Sequence, residues 1–334
     1  MRLAYCPATR PSELGPRNSA LSFGLSTQRS ALSTGPHVMG SESTARTLTL
    51  RDGRRLAWQE LGSPDGVPVI AFHGLPGSRE QRYPDESVAQ RLGARVIHVE
   101  RPGFGMSDPH PGRRLRDWAH DIEQLADYLR IERFCAAGVS GGGPFALACA
   151  AWLRERISRL ALVSSVGPPG SMDRPVHMLA PARLAFALAR RAPWTLTVPL
   201  ALFARLVVAR PQAFIAQAAR DLGGEDYTIL GDESVRRMLT RDLREAFRQG
   251  SGAMLTELIL LSSDWGVPFF DIRASCSLWH GERDRLVPAS ASVRLAREIL
   301  GSRLTLLPTA GHFFVLERWP EILNWLVDTG PRAE

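Results

Sequence analysis

From Thr47 onward, short apolar runs of β character alternate with longer stretches whose apolar residues recur at helical spacing. This alternation constrains the fold more than any other property of the chain, because strands separated by helices run mostly parallel and are covered on both faces. "TLTLRDGRRLAWQEL" reads as a hairpin turning at Asp52-Gly53. "VPVIAFH", "ARVIHVE", "RFCAAGV", "RLALVSS", "SCSLWH" and "RLTLLP" then read as buried strands, which predicts an α/β fold on an eight-stranded, mostly parallel sheet flanked by helices. "RDWAHDIEQLADYLR", "PFALACAAWLRER" and "SASVRLAREIL" carry the helical period between them. Between Gly167 and Gly266 the alternation stops and a long helix-prone stretch intervenes. The expected organisation is therefore a core over 41–167 and 266–334, with an inserted helical cap over 168–265.

Composition narrows the function classes. The 334 residues are 44% hydrophobic and 22% charged, as expected of a soluble globular chain with a sizeable core. All 41 basic residues are arginine, but they are interspersed with 34 acids and form no dense basic run. No nucleic-acid partner is expected on that pattern. Cys6, Cys135, Cys149 and Cys276 form no CxxC pair, so neither a disulfide framework nor a zinc cluster is expected. Residues 1–40 are rich in Ser, Pro and Arg without a sustained apolar period, and a disordered extension is expected there. Their Arg-rich, acid-poor character weakly resembles a transit peptide; an internal start at Met39 is the simpler reading, and a cytoplasmic location is expected. "APWTLTVPLALFARLVVA" is too interrupted, by Pro193, Pro199 and Arg205, to read as a membrane span. It is expected to be an amphipathic helix lining a pocket, without membrane contact.

Gly138-Val139-Ser140-Gly141-Gly142 has the form GxSxG between a predicted strand and a predicted helix, the setting of a nucleophile elbow. Small neighbours permit a sharp turn that lifts the serine hydroxyl clear of the sheet. Such a serine needs a base within hydrogen-bond reach. Of the eight histidines, His312 in "PTAGHFF" is best placed, beyond the last strand at the carboxyl edge of the sheet; His280, ending the preceding strand, is the runner-up. The base needs an acceptor to fix its tautomer. "LWHGERDRLVP" offers Asp284, with Glu282 its nearest rival, and gives the chain order Ser, Asp, His. An oxyanion site is expected from the backbone N–H groups of Leu75, in "HGLPGSR", and Gly141. His73 reads as a structural hydrogen-bonder. No metal is expected at His73 and His280, where no carboxylate-rich spacing supports one.

With those residues in view, the chain resembles the α/β-hydrolase superfamily from about residue 46 to 328, through "HGLPG", "ERPGFGMS", "GVSGGG", "GERD" and "GHF", all in family order. The resemblance implies an α/β-hydrolase fold with an inserted cap, catalysis by Ser140, Asp284 and His312, and no cofactor. The arginine, glycines and Ser107 of "ERPGFGMS" would brace loops around the site. Relatives that hydrolyse epoxides or dehalogenate alkanes use an aspartate where this chain has Ser140, so acyl transfer is favoured. Proline-iminopeptidase relatives carry "HGGPG" and an elbow tryptophan, replaced here by Leu75 and Val139. The expected activity is ester-type hydrolysis of a small, largely apolar substrate, suggested also by Trp194, Phe203 and Phe214 of the cap. Carbon–carbon bond hydrolysis of ring-cleavage products, or ligand capture without turnover, are the alternatives on this fold.

Overall fold

The computed structural model describes residues 45–169 and 178–328. The extension expected over 1–40, and the part of the expected cap that includes His177, lie outside them. Eight strands form one sheet: β1 (Arg46–Thr49), β2 (Arg55–Gly62), β3 (Val67–Phe72), β4 (Ala94–Val99), β5 (Phe134–Val139), β6 (Ile157–Val163), β7 (Ser275–Gly281) and β8 (Arg303–Leu307). Their spatial order is β1-β2-β4-β3-β5-β6-β7-β8. β2 pairs antiparallel with β1 and β4, and every later pairing is parallel. The hairpin turns where the sequence predicts, with Gly53 at φ +86°.

Five helices cover the sheet: α1 (Ser87–Arg91), α2 (Leu115–Tyr128) and α3 (Gly143–Trp152), then α10 (Ser290–Glu298) and α11 (Val315–Val327). α2 forms because Leu115, Trp118, Ala119, Ile122, Leu125 and Ala126 fall on one face, and all are buried. Its first turn is closed by Asp117 Oδ2, which accepts the Arg114 N–H at 2.8 Å. α3 is buried along nearly its whole length, so it carries no polar face. Two apolar layers result. Trp58, Phe72, Trp118 and Phe145 lie in the layer under α2 and α3, while Val69, Val96, Val163 and Phe314 lie in the layer under α1 and α11.

Among the described residues, six α-helices occupy the insertion between β6 and β7: α4 (Ala180–Arg191), α5 (Thr197–Ala209), α6 (Pro211–Leu222), α7 (Gly224–Gly231), α8 (Glu233–Ala246) and α9 (Gly252–Ser262). They build an apolar cluster of their own around Val207, Ile215, Met238, Leu239 and Phe247. Among the described residues no single helix is long and apolar enough to cross a membrane, and the stretch holding α5 and α6 is bent by 108° at its break. Arg210 and Pro211 cause the bend, since proline cannot continue the α5 hydrogen-bond ladder.

Candidate active site

β5 ends at Val139, and the chain turns at Ser140 with φ +53°, a left-handed conformation that a non-glycine residue adopts only when its surroundings hold it there. They do so on both sides. The Val166 N–H donates to the Ser140 carbonyl oxygen at 3.1 Å. A methyl at Gly142 would stand 2.3 Å from the Phe72 carbonyl oxygen, and one at Gly138 would stand 2.7 Å from the Gly142 oxygen. The glycines of the elbow are thus fixed by the approach of β3 and α3, leaving Ser140 half-exposed at the carboxyl edge of the sheet.

His312 lies between β8 and α11, and its Nδ1 donates to Asp284 Oδ2 at 2.6 Å. Asp284 sits after β7 and is fully buried; its Oδ1 accepts the N–H groups of Leu286 (2.8 Å) and Val287 (2.9 Å). Glu282, its sequence rival, is exposed. Burial alone would push the Asp284 carboxyl upward, but His312 and His280 outweigh it and hold the group far below the usual carboxylate range. Burial likewise pulls His312 down, and the Asp284 carboxylate overrides it, so the imidazole ends above its ordinary value. Ser140 and His312 line the same cavity, and Asp284 stands behind His312 outside it.

His280 is fully buried and turned away from that cavity. Its Nδ1 meets Ser292 Oγ at 2.6 Å, and its Nε2 lies 3.0 Å from the Val287 carbonyl oxygen and 3.3 Å from Asp284 Oδ2. It buttresses the acid from behind. His73 is structural as expected: Nδ1 donates to the Gly74 oxygen at 2.9 Å, and Nε2 accepts the Arg101 N–H at 3.2 Å. Burial and the adjacent Arg101 keep it well below the ordinary histidine value, hence neutral. Leu75 and Gly141 pack closely, since a methyl on Gly141 would stand 2.7 Å from Leu75 Cβ and 3.4 Å from Leu75 N. Ser107 braces the loop as expected, donating to the Glu100 carbonyl oxygen at 2.8 Å while accepting the Ala57 N–H at 2.9 Å.

The cavity measures about 480 Å³ and is walled mainly by apolar side chains, including Phe186, Phe203, Phe214 and Leu239 from the insertion. Trp194 is different: it is 72% exposed and faces solvent.

Sequence reasoning missed a set of acids on the insertion, buried at Glu257, Asp242 and Asp226 and half-buried at Glu245. Glu257 of α9 grips Arg101 through two bonds of 2.7 and 2.8 Å and takes Arg113 at 3.0 Å; Arg101 in turn donates to the His73 and Gly74 carbonyl oxygens. Asp242 of α8 accepts the Ser78 N–H at 2.7 Å, Glu245 takes Arg79 at 2.6 Å, and Asp226 of α7 accepts the N–H groups of His312 and Phe313. For Glu257 there was a signal, a lone carboxylate inside "AMLTELILL". For Asp226 there was none, because its partner loop lies far along the chain.

A family model described as the alpha/beta hydrolase fold matches residues 67–318. The chain belongs to this family. The 2-hydroxymuconate semialdehyde hydrolase of Pseudomonas putida is 29% identical over 260 residues, covering 76% of this chain and 83% of that protein. The proline iminopeptidase of Neisseria gonorrhoeae is 33% identical over 124 residues, only 34% of this chain and 38% of its own length. The esterase of Exiguobacterium antarcticum shares the alpha/beta hydrolase architecture with a TM-score of 0.59 at 20% identity, covering 85% of this chain and 98% of that one. The hydrolase family is thereby supported from sequence, and its fold from structure as well.

Proposed function

We propose that this protein is a serine hydrolase that cleaves ester-type bonds of a small, largely apolar substrate through an acyl-enzyme. The reading rests on one observation above the others: the 2.6 Å bond from His312 Nδ1 to the buried Asp284, on the wall of the cavity that Ser140 also lines. With Nδ1 committed to Asp284, His312 presents Nε2 as the base. In the first step Nε2 takes the Ser140 proton while Oγ attacks the ester carbonyl carbon, and the imidazolium formed is stabilised by Asp284. The N–H groups of Leu75 and Gly141 receive the developing oxyanion, each worth about 2.7–4 kcal/mol in comparable sites. Collapse of the tetrahedral intermediate expels the alcohol, which takes the proton from His312. Water, deprotonated by the same histidine, then attacks the acyl carbonyl and returns Ser140 with release of the acid. The helical insertion acts as the cap over this cavity, and its apolar wall selects the substrate.

Carbon–carbon bond hydrolysis is the second reading, favoured by the likeness to the 2-hydroxymuconate semialdehyde hydrolase. A muconate semialdehyde carries a carboxylate, which calls for a cation. Among the described residues lining the cavity the one arginine is Arg82, already paired with Glu80 at 2.7 Å and Glu86 at 2.9 Å. That pairing favours a neutral substrate. Labelling with a fluorophosphonate, followed by turnover of p-nitrophenyl esters beside 2-hydroxymuconate semialdehyde, tests both. Labelling lost in Ser140→Ala with ester turnover dominant is the expected result; an unlabelled wild type rejects the acyl-enzyme.

A further inference from the structure

We propose that Asp226, carried by the insertion, is a positioning residue for His312, so that seating of the insertion on the core is coupled to alignment of the base. The inference rests on the role of His312 proposed above. The segment between β8 and α11 has no ladder to satisfy its backbone, and a buried N–H without a partner is costly. Two successive N–H groups, of His312 and Phe313, point the same way. Asp226 meets them with both oxygens, Oδ2 on His312 N and Oδ1 on Phe313 N, each at 2.8 Å.

The fit is specific to this side chain. Asp226 is 2% exposed, and a methyl at Gly311 would stand 2.2 Å from its Oδ2, with the three nearest atoms all belonging to this carboxylate. Gly311 is therefore a seat for Asp226. The carboxylate also acts on the ring. Asp284, from the loop after β7, and Asp226, from α7, are the charges that favour protonated His312, while His280 of β7 stands behind Asp284. Burial pushes Asp226 itself upward, opposed by its two N–H bonds and by His312. One residue thus fixes the backbone of the base and biases its charge. A carboxylate that merely tied down a loop would affect stability without touching the titration of the imidazole.

The test uses the full chain with Asp226→Asn and Gly311→Ala. The rate of fluorophosphonate labelling at Ser140 is followed against pH, and the His312 imidazole is titrated by NMR, assigned by its loss in His312→Gln. In Asp226→Asn, labelling is expected to slow by 10- to 100-fold at the optimum, with the acid limb and the NMR titration of His312 both moving to lower pH. Gly311→Ala, which keeps the carboxylate but displaces it, is expected to slow labelling at least tenfold. Unchanged labelling in Gly311→Ala, or an unmoved His312 titration in a folded Asp226→Asn, overturns the proposal. The NMR arm decides the matter for Asp226 even if the wild type takes no label, an outcome that counts against the hydrolase reading instead.

Discussion

His312 carries the sharpest expectation at the scale of single residues. The proposed base must be neutral to act, and Asp284 raises its pKa above the ordinary 6.5 against the opposing pull of burial. kcat/KM should therefore fall as pH drops through a value above 6.5, where the imidazole gains its proton. Removing the charge in Asp284→Asn should shift that limb to lower pH and cut kcat by about 10⁴, as loss of the orienting acid does in serine hydrolases generally. A full pH–rate profile of both proteins checks the direction. The elbow glycines make a separate prediction. Gly142→Ala forces a methyl against the Phe72 carbonyl, a backbone atom that cannot swing aside, and should cost about 3 kcal/mol by overpacking. Urea unfolding of the variant measures that loss.

At the scale of elements, the strands and the catalytic loops were readable while the tie between insertion and core was not. β3 to β7 announce themselves as apolar runs because each is largely buried, whereas β8, expected as a buried strand, forms the sheet edge and holds no buried residue; the elbow follows from small residues between β5 and α3. Ser140, Asp284 and His312 could be chosen because each sits at a strand end, where chain order fixes location. Glu257 and Asp226 are carried by α9 and α7, and nothing in a single sequence states which core loop a helix meets. Trp194 faces solvent, and the sequence could not say so for the same reason: an apolar residue on a helical insertion has two faces to choose from. Glu257→Gln tests the tie directly. It leaves Arg101 and Arg113 buried without their shared carboxylate, at a cost of about 3–5 kcal/mol. A lowered melting temperature, with ester turnover falling as the His73–Gly74 loop loosens, is the expected outcome.

For the whole molecule, the enclosed apolar space sets what can be processed. Ala218 of α6 lines the cavity, and Ala218→Phe should fill part of it. The ratio of kcat/KM for decanoate over butyrate p-nitrophenyl esters should drop at least tenfold, with the butyrate value changed less than threefold, since each methylene denied burial forfeits about 0.8 kcal/mol. The distribution of the insertion's acids has a consequence for traffic. α7, α8 and α9 are riveted to the core through the carboxylates of Asp226, Asp242, Glu245 and Glu257, whereas α4 and α6 meet other elements through main-chain oxygens, that of Phe186 accepting from Ser262 Oγ and that of Asp221 accepting from Arg285. Such a roof should open along the α4–α6 edge first. Amide exchange should run faster across α4–α6 than across α7–α9, which would make the former the doorway by which oily molecules come and go.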